Sequence, residues 1–151
     1  MSSTAVTQES IDLIHQFTTD VWNGGDLGRI EDLVSPDVVQ HGPVSGMTLN
    51  GPEEIRANIE QYQAAFSDLE STVDLVFCDE TGEYVAAHFT VTGTHDGELM
   101  GIDPTDTEGT VEVVSLYRIE DGHIAESWSV ADMYSLFHQI GEQPAAGPLA
   151  P

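Results

Sequence analysis

The chain has 151 residues, the length of one domain, and 40% of them are apolar, more than a disordered chain carries. Lys and Arg together number 3, all of them arginine, against 27 Asp and Glu, for a formal net charge of -24. So acidic a surface repels phosphate backbones and anionic lipid headgroups, which argues against nucleic-acid and membrane partners.

Three helical patterns come first. Ile11, Ile14, Phe17, Val21 and Trp22 recur at helical spacing, with Thr7 as the expected N-cap and Asn23-Gly24-Gly25 as the stop. Leu27, Ile30, Leu33 and Val34 repeat the pattern after Asp26, a good N-cap, and end before Pro36. Residues 37–40 read as a short strand leading into His41-Gly42-Pro43. The third helix opens at Pro52, carries Glu53 and Glu54 at its positive end, and shows one stripe of Ile55, Ile59, Tyr62 and Phe66.

From Ser71 the period changes to two. Val73, Leu75 and Phe77 are expected on one strand face, and Val85, Ala87, Phe89 and Val91 on the inward face of the next. Cys78, the one cysteine, reads as core packing and cannot form an internal disulfide. Strands over 111–119 and 123–131 are joined through Asp121-Gly122, a strong hairpin signal. A short helix comes next, with Met133, Leu136, Phe137 and Ile140 inward and Gly141 at its end. Residues 142–151, rich in Pro, Ala and Gly, are expected to be disordered, which leaves a domain over 1–141. Helices followed by a strand meander predict an α+β fold in which helices cover a curved antiparallel sheet and enclose one pocket.

The segment Gly93-Thr94-His95-Asp96-Gly97 through Gly101 and Pro104-Thr105 resembles the GTH-x-G-x-x-x-G-x-x-PT stretch of SnoaL-like polyketide cyclases. Ser35 to Pro43 upstream, and Arg118 to Ile124 with Trp128, Asp132 and Gln139-Ile140-Gly141 downstream, extend the likeness over roughly residues 8 to 141. The resemblance implies the cone-shaped α+β barrel shared with ketosteroid isomerases, limonene epoxide hydrolases and nuclear transport factors. It also implies ring closure by aldol condensation, without metal or cofactor, with a carboxylate moving protons. By the same matching, the acid/base Asp of the cyclases falls on Ser129 and their pocket His on Ser115. Serine cannot take a proton near neutral pH without a base beside it.

Candidate site residues can be placed in this frame. Alternation puts Ser127, Ser129 and Ala131 on one face of the last strand, with Ile124, Trp128 and Val130 on the other, while Ser115 and Tyr117 share a face of its neighbour. The serine face lines the pocket, or its small residues serve tight packing. Asp132, next to Met133, reads as an acid/base carboxylate, as the N-cap of the final helix, or as both. His41 reads as a general base or as turn chemistry, and His88 as facing either pocket or solvent. His95 reads as a pocket residue or as the hydrogen bond that orders the loop after it. His15, His123 and His138 read as surface or rim residues. Trp128 and Tyr117 are expected to shape the site.

Two functions from different classes remain open. One is a cofactor-independent cyclase, isomerase or hydratase that transfers protons on a small apolar carbonyl compound through Asp132, His41 or His88. The other is a non-catalytic binding or scaffold protein that keeps the pocket, which the serines at 115 and 129 favour. No HExxH, H-x-H or Cys cluster suggests a metal, and no nucleotide-binding or G-x-S-x-G motif occurs. The N-terminus lacks a basic segment followed by an apolar run, and no stretch approaches the ~18 apolar residues of a membrane span. Self-repulsion at this charge density is screened at molar salt, where the Debye length is about 3 Å, so a cytoplasmic protein of a salt-loving organism is expected, with an ordinary acidic mesophilic protein as the alternative. The exposed face of a curved sheet calls for a cover, and a homodimer or higher homo-oligomer is expected.

Overall fold

A computed structural model describes residues 3–44 and 46–141; the tail expected to be disordered lies outside them. In chain order the elements are α1 (Ser3–Gln16), a π-helical segment (Phe17–Asn23), a 3-10 turn (Leu27–Arg29), α2 (Ile30–Leu33), β1 (Val34–His41), β2 (Thr48–Asn50), α3 (Gly51–Ala65), β3 (Glu70–Cys78), β4 (Tyr84–Thr94), β5 (Glu108–Glu120), β6 (His123–Ala131) and α4 (Met133–Gln139). The strands form one six-stranded sheet in the order β2-β1-β6-β5-β4-β3, open at both edges. All neighbours are antiparallel except β1 and β6. This is the α+β architecture expected, with helices on the concave side of the sheet.

Several boundaries move for physical reasons. The first helix begins at Ser3, so Thr7 is not its N-cap; the Thr7 hydroxyl donates to the Thr4 carbonyl one turn back. The apolar stripe continues through the π-helical segment, where Gly24 N–H donates to Thr19 O five residues earlier. Residues five apart then share a face, and Phe17 and Trp22 come to the same wall. Leu33 closes α2, and Val34 already belongs to β1, which is twice the length read from the sequence because it also pairs with β6.

The largest correction falls on β3. A bulge between Val73 and Leu75 shifts the register and reverses the parity of the residues beyond it. Val73, Val76 and Cys78 pack on the core, whereas Leu75 and Phe77 are 58% and 57% exposed. Cross-strand rows on the outer face therefore run Leu75–His88–Val114–Val130 and Phe77–Ala86–Leu116–Trp128. Four of these residues, Leu75, Phe77, Val114 and Leu116, are large, apolar and about half exposed or more, and Val130 is more exposed still.

Inside, one cluster joins Leu13, Ile14, Phe17 and Val21 to Ile55, Ile59, Val85 and Phe89. A second, at the other end, joins Ala65 and Phe66 to Leu99, Leu136 and Ile140. The cavity lies between helices and sheet where the two clusters meet.

Candidate ligand-binding site

The turn at Asp121-Gly122, with φ of 52° and 78°, pairs Glu120 with His123 and Ile119 with Ile124, and a bulge beyond Arg118 then shifts β6 by one residue against β5. Ser115 then lies opposite Ser129, and Tyr117 opposite Ser127. These four side chains face inward, and Ser115 Oγ and Ser129 Oγ are 2.7 Å apart. Gly42, at φ 82°, closes β1 against this strand; a Cβ there would lie 2.3 Å from the Ser129 carbonyl oxygen. Facing the serines, the π-helical segment supplies Phe17, Thr18 and Trp22, and α3 supplies Asn58 and Tyr62.

The resulting cavity measures about 140 Å³ to the centre of a water-sized sphere. That is several times the 10–15 Å³ or so a single water needs, so it is a space for a ligand rather than for a structural water. Its wall is mainly aliphatic and aromatic, with Phe66, Phe89, Val91, Val111, Val113 and Leu136 among the contributors. The described lining residues include no carboxylate, no imidazole and no cation. Burial pushes the Tyr117 phenol up to about 12, an effect Ser115 beside it partly offsets, and burial also raises Tyr62. Both phenols stay protonated at ordinary pH and can donate. The site offers neutral hydroxyl groups set in an apolar wall.

The other candidates lie elsewhere. Asp132 is exposed at the start of α4, where Oδ1 accepts from Ser135 N–H at 3.0 Å; it is the cap, and it does not line the cavity. His41 alternates with Gln40, which faces the cavity, and so turns to the outer side, with Nε2 2.7 Å from Glu126 Oε2 and its ring stacked on Trp128 at 5.7 Å. The hydrogen bond from His41, then that from Arg118, holds the Glu126 carboxyl below the usual range. Trp128 thus shapes the outer face and not the cavity, a correction that comes from its parity opposite the serines. His88 is also outward, 3.2 Å from Glu112 and 3.5 Å from Asp74. His95 is fully buried behind Phe66, with Nδ1 3.1 Å from Thr105 Oγ1 and 3.3 Å from the Thr105 amide, and it pins the loop leading to Thr107. The structure therefore brings Ser115, Tyr117 and Ser129 together and leaves Asp132, His41, His88, His95 and Trp128 apart from them.

Trp22 and Tyr62 are site residues that the helical stripes concealed. Each occupies an apolar position yet ends in a polar group, the only sequence sign that the stripe borders a cavity rather than solid core. Among the described residues, no cluster of three or more His, Cys, Asp or Glu could hold a metal ion.

Residues 12–140 match the profile of the SnoaL-like polyketide cyclases. The chain belongs to this family. It is 27% identical over 123 residues to the aklanonic acid methyl ester cyclase AcmA of Streptomyces galilaeus, covering 82% of this chain and 85% of that one. It is 28% identical over 121 residues to the nogalonic acid methyl ester cyclase of Streptomyces nogalater, covering 80% and 90%. Among solved structures, IdmH of Streptomyces antibioticus superposes with a TM-score of 0.75 at 29% identity, covering 87% of this chain and 98% of IdmH. An LEH-like epoxide hydrolase of M. tuberculosis, at 16% identity and a TM-score of 0.68 over 89% of this chain and 86% of that one, shares the fold alone.

Proposed function

We propose that the chain binds a small, uncharged, largely apolar carbonyl compound in the cavity and holds it by hydroxyl donors, without the proton transfer of a cyclase. The observation that carries this reading is the Ser115–Ser129 pair, two hydroxyls satisfying each other on a wall without a base. A hydroxyl near neutral pH needs a neighbouring base before it can abstract a proton, and Tyr117 is pushed in the wrong direction for that role. All three arginines are engaged by surface carboxylates, so an anionic ligand would find no counter-charge inside. An isolated ion in such a wall is costly.

The relatives favour a second reading, a cofactor-independent cyclase or isomerase with a carbonyl substrate, because the likeness to named cyclases spans four-fifths of the chain. The experiment that separates the two uses nogalonic acid methyl ester, the compound in one relative's name, with binding and turnover followed on the same sample. Saturable binding without product supports the binding protein. Product formation that persists in Ser129→Ala and is lost in Asp132→Asn would instead assign the chemistry to Asp132, from outside the cavity wall.

We propose further that a second copy of the chain covers the outer face, in the cytoplasm of a salt-rich cell. The exposed rows of β3 to β6 support the cover, and the net charge supports the salt.

A further inference from the structure

Two polar atoms in the described interior have no hydrogen-bond partner, Tyr62 Oη and His95 Nε2. They differ in what surrounds them. His95 lies behind Phe66, its ring tilted against that of Phe66, and is not part of the cavity wall, whereas Tyr62 is. Tyr62 is held there firmly: it occupies the fourth turn of α3, its ring lies 6.3 Å from Trp22, and one residue on Gln63 donates to the carbonyls of Val21 and Trp22. Gln63 thus ties this turn of α3 to the π-helical segment, and the Tyr62 hydroxyl beside it is buried at the cavity wall.

A buried hydroxyl without a partner costs more than the hydrogen bond it forgoes, so its retention calls for an explanation. Phenylalanine would fill the same apolar volume without that cost. Ser115, by contrast, has already found Ser129. The hydroxyl left unpaired is on the helical wall, across the cavity from the serines.

We propose that Tyr62 is the specificity-determining donor of the cavity: its hydroxyl is completed by an uncharged acceptor oxygen of the ligand, a ketone, ester or ether, while the rest of the ligand packs on apolar wall. This rests on the binding reading above and narrows it to a defined ligand feature. Hydrocarbons of the same shape leave the hydroxyl unpaired and are discriminated against. Because burial keeps the phenol protonated, donation persists across the ordinary pH range.

The test uses two probes of nearly equal shape, 2-acetylnaphthalene and 2-isopropylnaphthalene, titrated against the full chain and Tyr62→Phe in molar KCl by isothermal titration calorimetry. The ratio of ketone to hydrocarbon affinity is expected to fall about tenfold, the size of a well-formed neutral hydrogen bond, on going to Tyr62→Phe. Without ligand, Tyr62→Phe is expected to melt at the same temperature as the unaltered chain or higher, because it removes an unpaired buried hydroxyl. A merely structural hydroxyl would lower the melting temperature and leave the ratio alone. If both probes bind and the ratio is the same in both proteins, Tyr62 is not the reader, although the cavity still binds. If neither probe binds either protein, the binding reading fails and this proposal with it.

Discussion

Ser115 and Ser129 satisfy each other, and removing the Ser129 hydroxyl leaves Ser115 with Tyr117 beside it. Ser129→Ala is expected to cost about 0.5–1.5 kcal/mol in urea denaturation, the net worth of one hydrogen bond. Ser129→Asp asks the opposite question, because it restores a carboxylate where the resemblance places one. No cation in the cavity would balance it, so its pKa should rise. A carboxyl raised on folding is stabilising only while neutral. Ser129→Asp is therefore expected to be most stable below about pH 4, the unfolded value, and to lose stability as pH rises towards its native pKa. A thermal melt series from pH 4 to 8 reads this directly, and appearance of turnover in the same variant would show that one carboxylate separates this chain from its cyclase relatives. That Ser115 shares a face with Tyr117, and Ser127 with Ser129, was legible in the sequence from alternation, but their pairing was not: the Asp121-Gly122 register alone would set Ser115 opposite Trp128, and the bulge beyond Arg118 moves it to Ser129. The same parity turned Trp128 outward. Asp132 was legible as a cap, since it directly precedes an apolar-periodic run, and the sequence alone could not separate that role from catalysis.

At the scale of elements, the sequence lost its way where a run of apolar residues fits two parities. Leu75-Val76-Phe77-Cys78 carries no alternation, so the bulge that decides which pair faces inward left no mark. Trp22 and Tyr62 were hidden for a related reason: helical periodicity marks the face turned to the interior without revealing whether that interior is filled. Two joints hold the frame around the cavity. Gly42 brings the end of β1 against Ser129, and Gly42→Ala must accept both a left-handed φ and a backbone clash. A loss of at least about 2 kcal/mol is expected in urea denaturation. The second joint ties the turn after α3 to the end of β4: Asp68 accepts from the Thr94 amide at 2.7 Å and its hydroxyl at 2.9 Å, and Asp96 accepts from the Ser67 amide at 3.0 Å. These bonds hold both carboxyls below the ordinary range, those from Thr94 for Asp68 and those from Ser67 for Asp96. A carboxyl lowered on folding stabilises above its unfolded pKa and ceases to do so as pH falls through the native value. Asp68→Asn is expected to melt lower than the unaltered chain at pH 7, and the gap should close below about pH 4.

For the whole molecule, charge and apolar surface act in the same direction. At low salt the acidic surface opposes both compaction and the approach of a second copy, and molar salt removes both obstacles. Circular dichroism should show helix and strand signal lost in dilute buffer and regained in molar KCl; full structure in dilute buffer would overturn the salt-loving reading. Under the same high salt, sedimentation should show a self-associated species, and Leu116→Glu, in the middle of the outer face, should return it to the monomer without loss of secondary structure.

The π-helical segment between α1 and the 3-10 turn is where this chain can absorb a change of one residue in length. Its wider turn holds about one more residue than a regular α-helical turn would, and it brings Phe17 and Trp22 to one wall. Deleting a single residue there would let the helix run on regularly with the residues before and after it nearly in phase, because the surplus residue is what the wider turn accommodates. Leu13 and Ile14 would stay in the core, and the change would fall on the stretch of cavity wall that Thr18 and Trp22 share. The segment is therefore a joint at which the ligand space changes width while the core keeps its register.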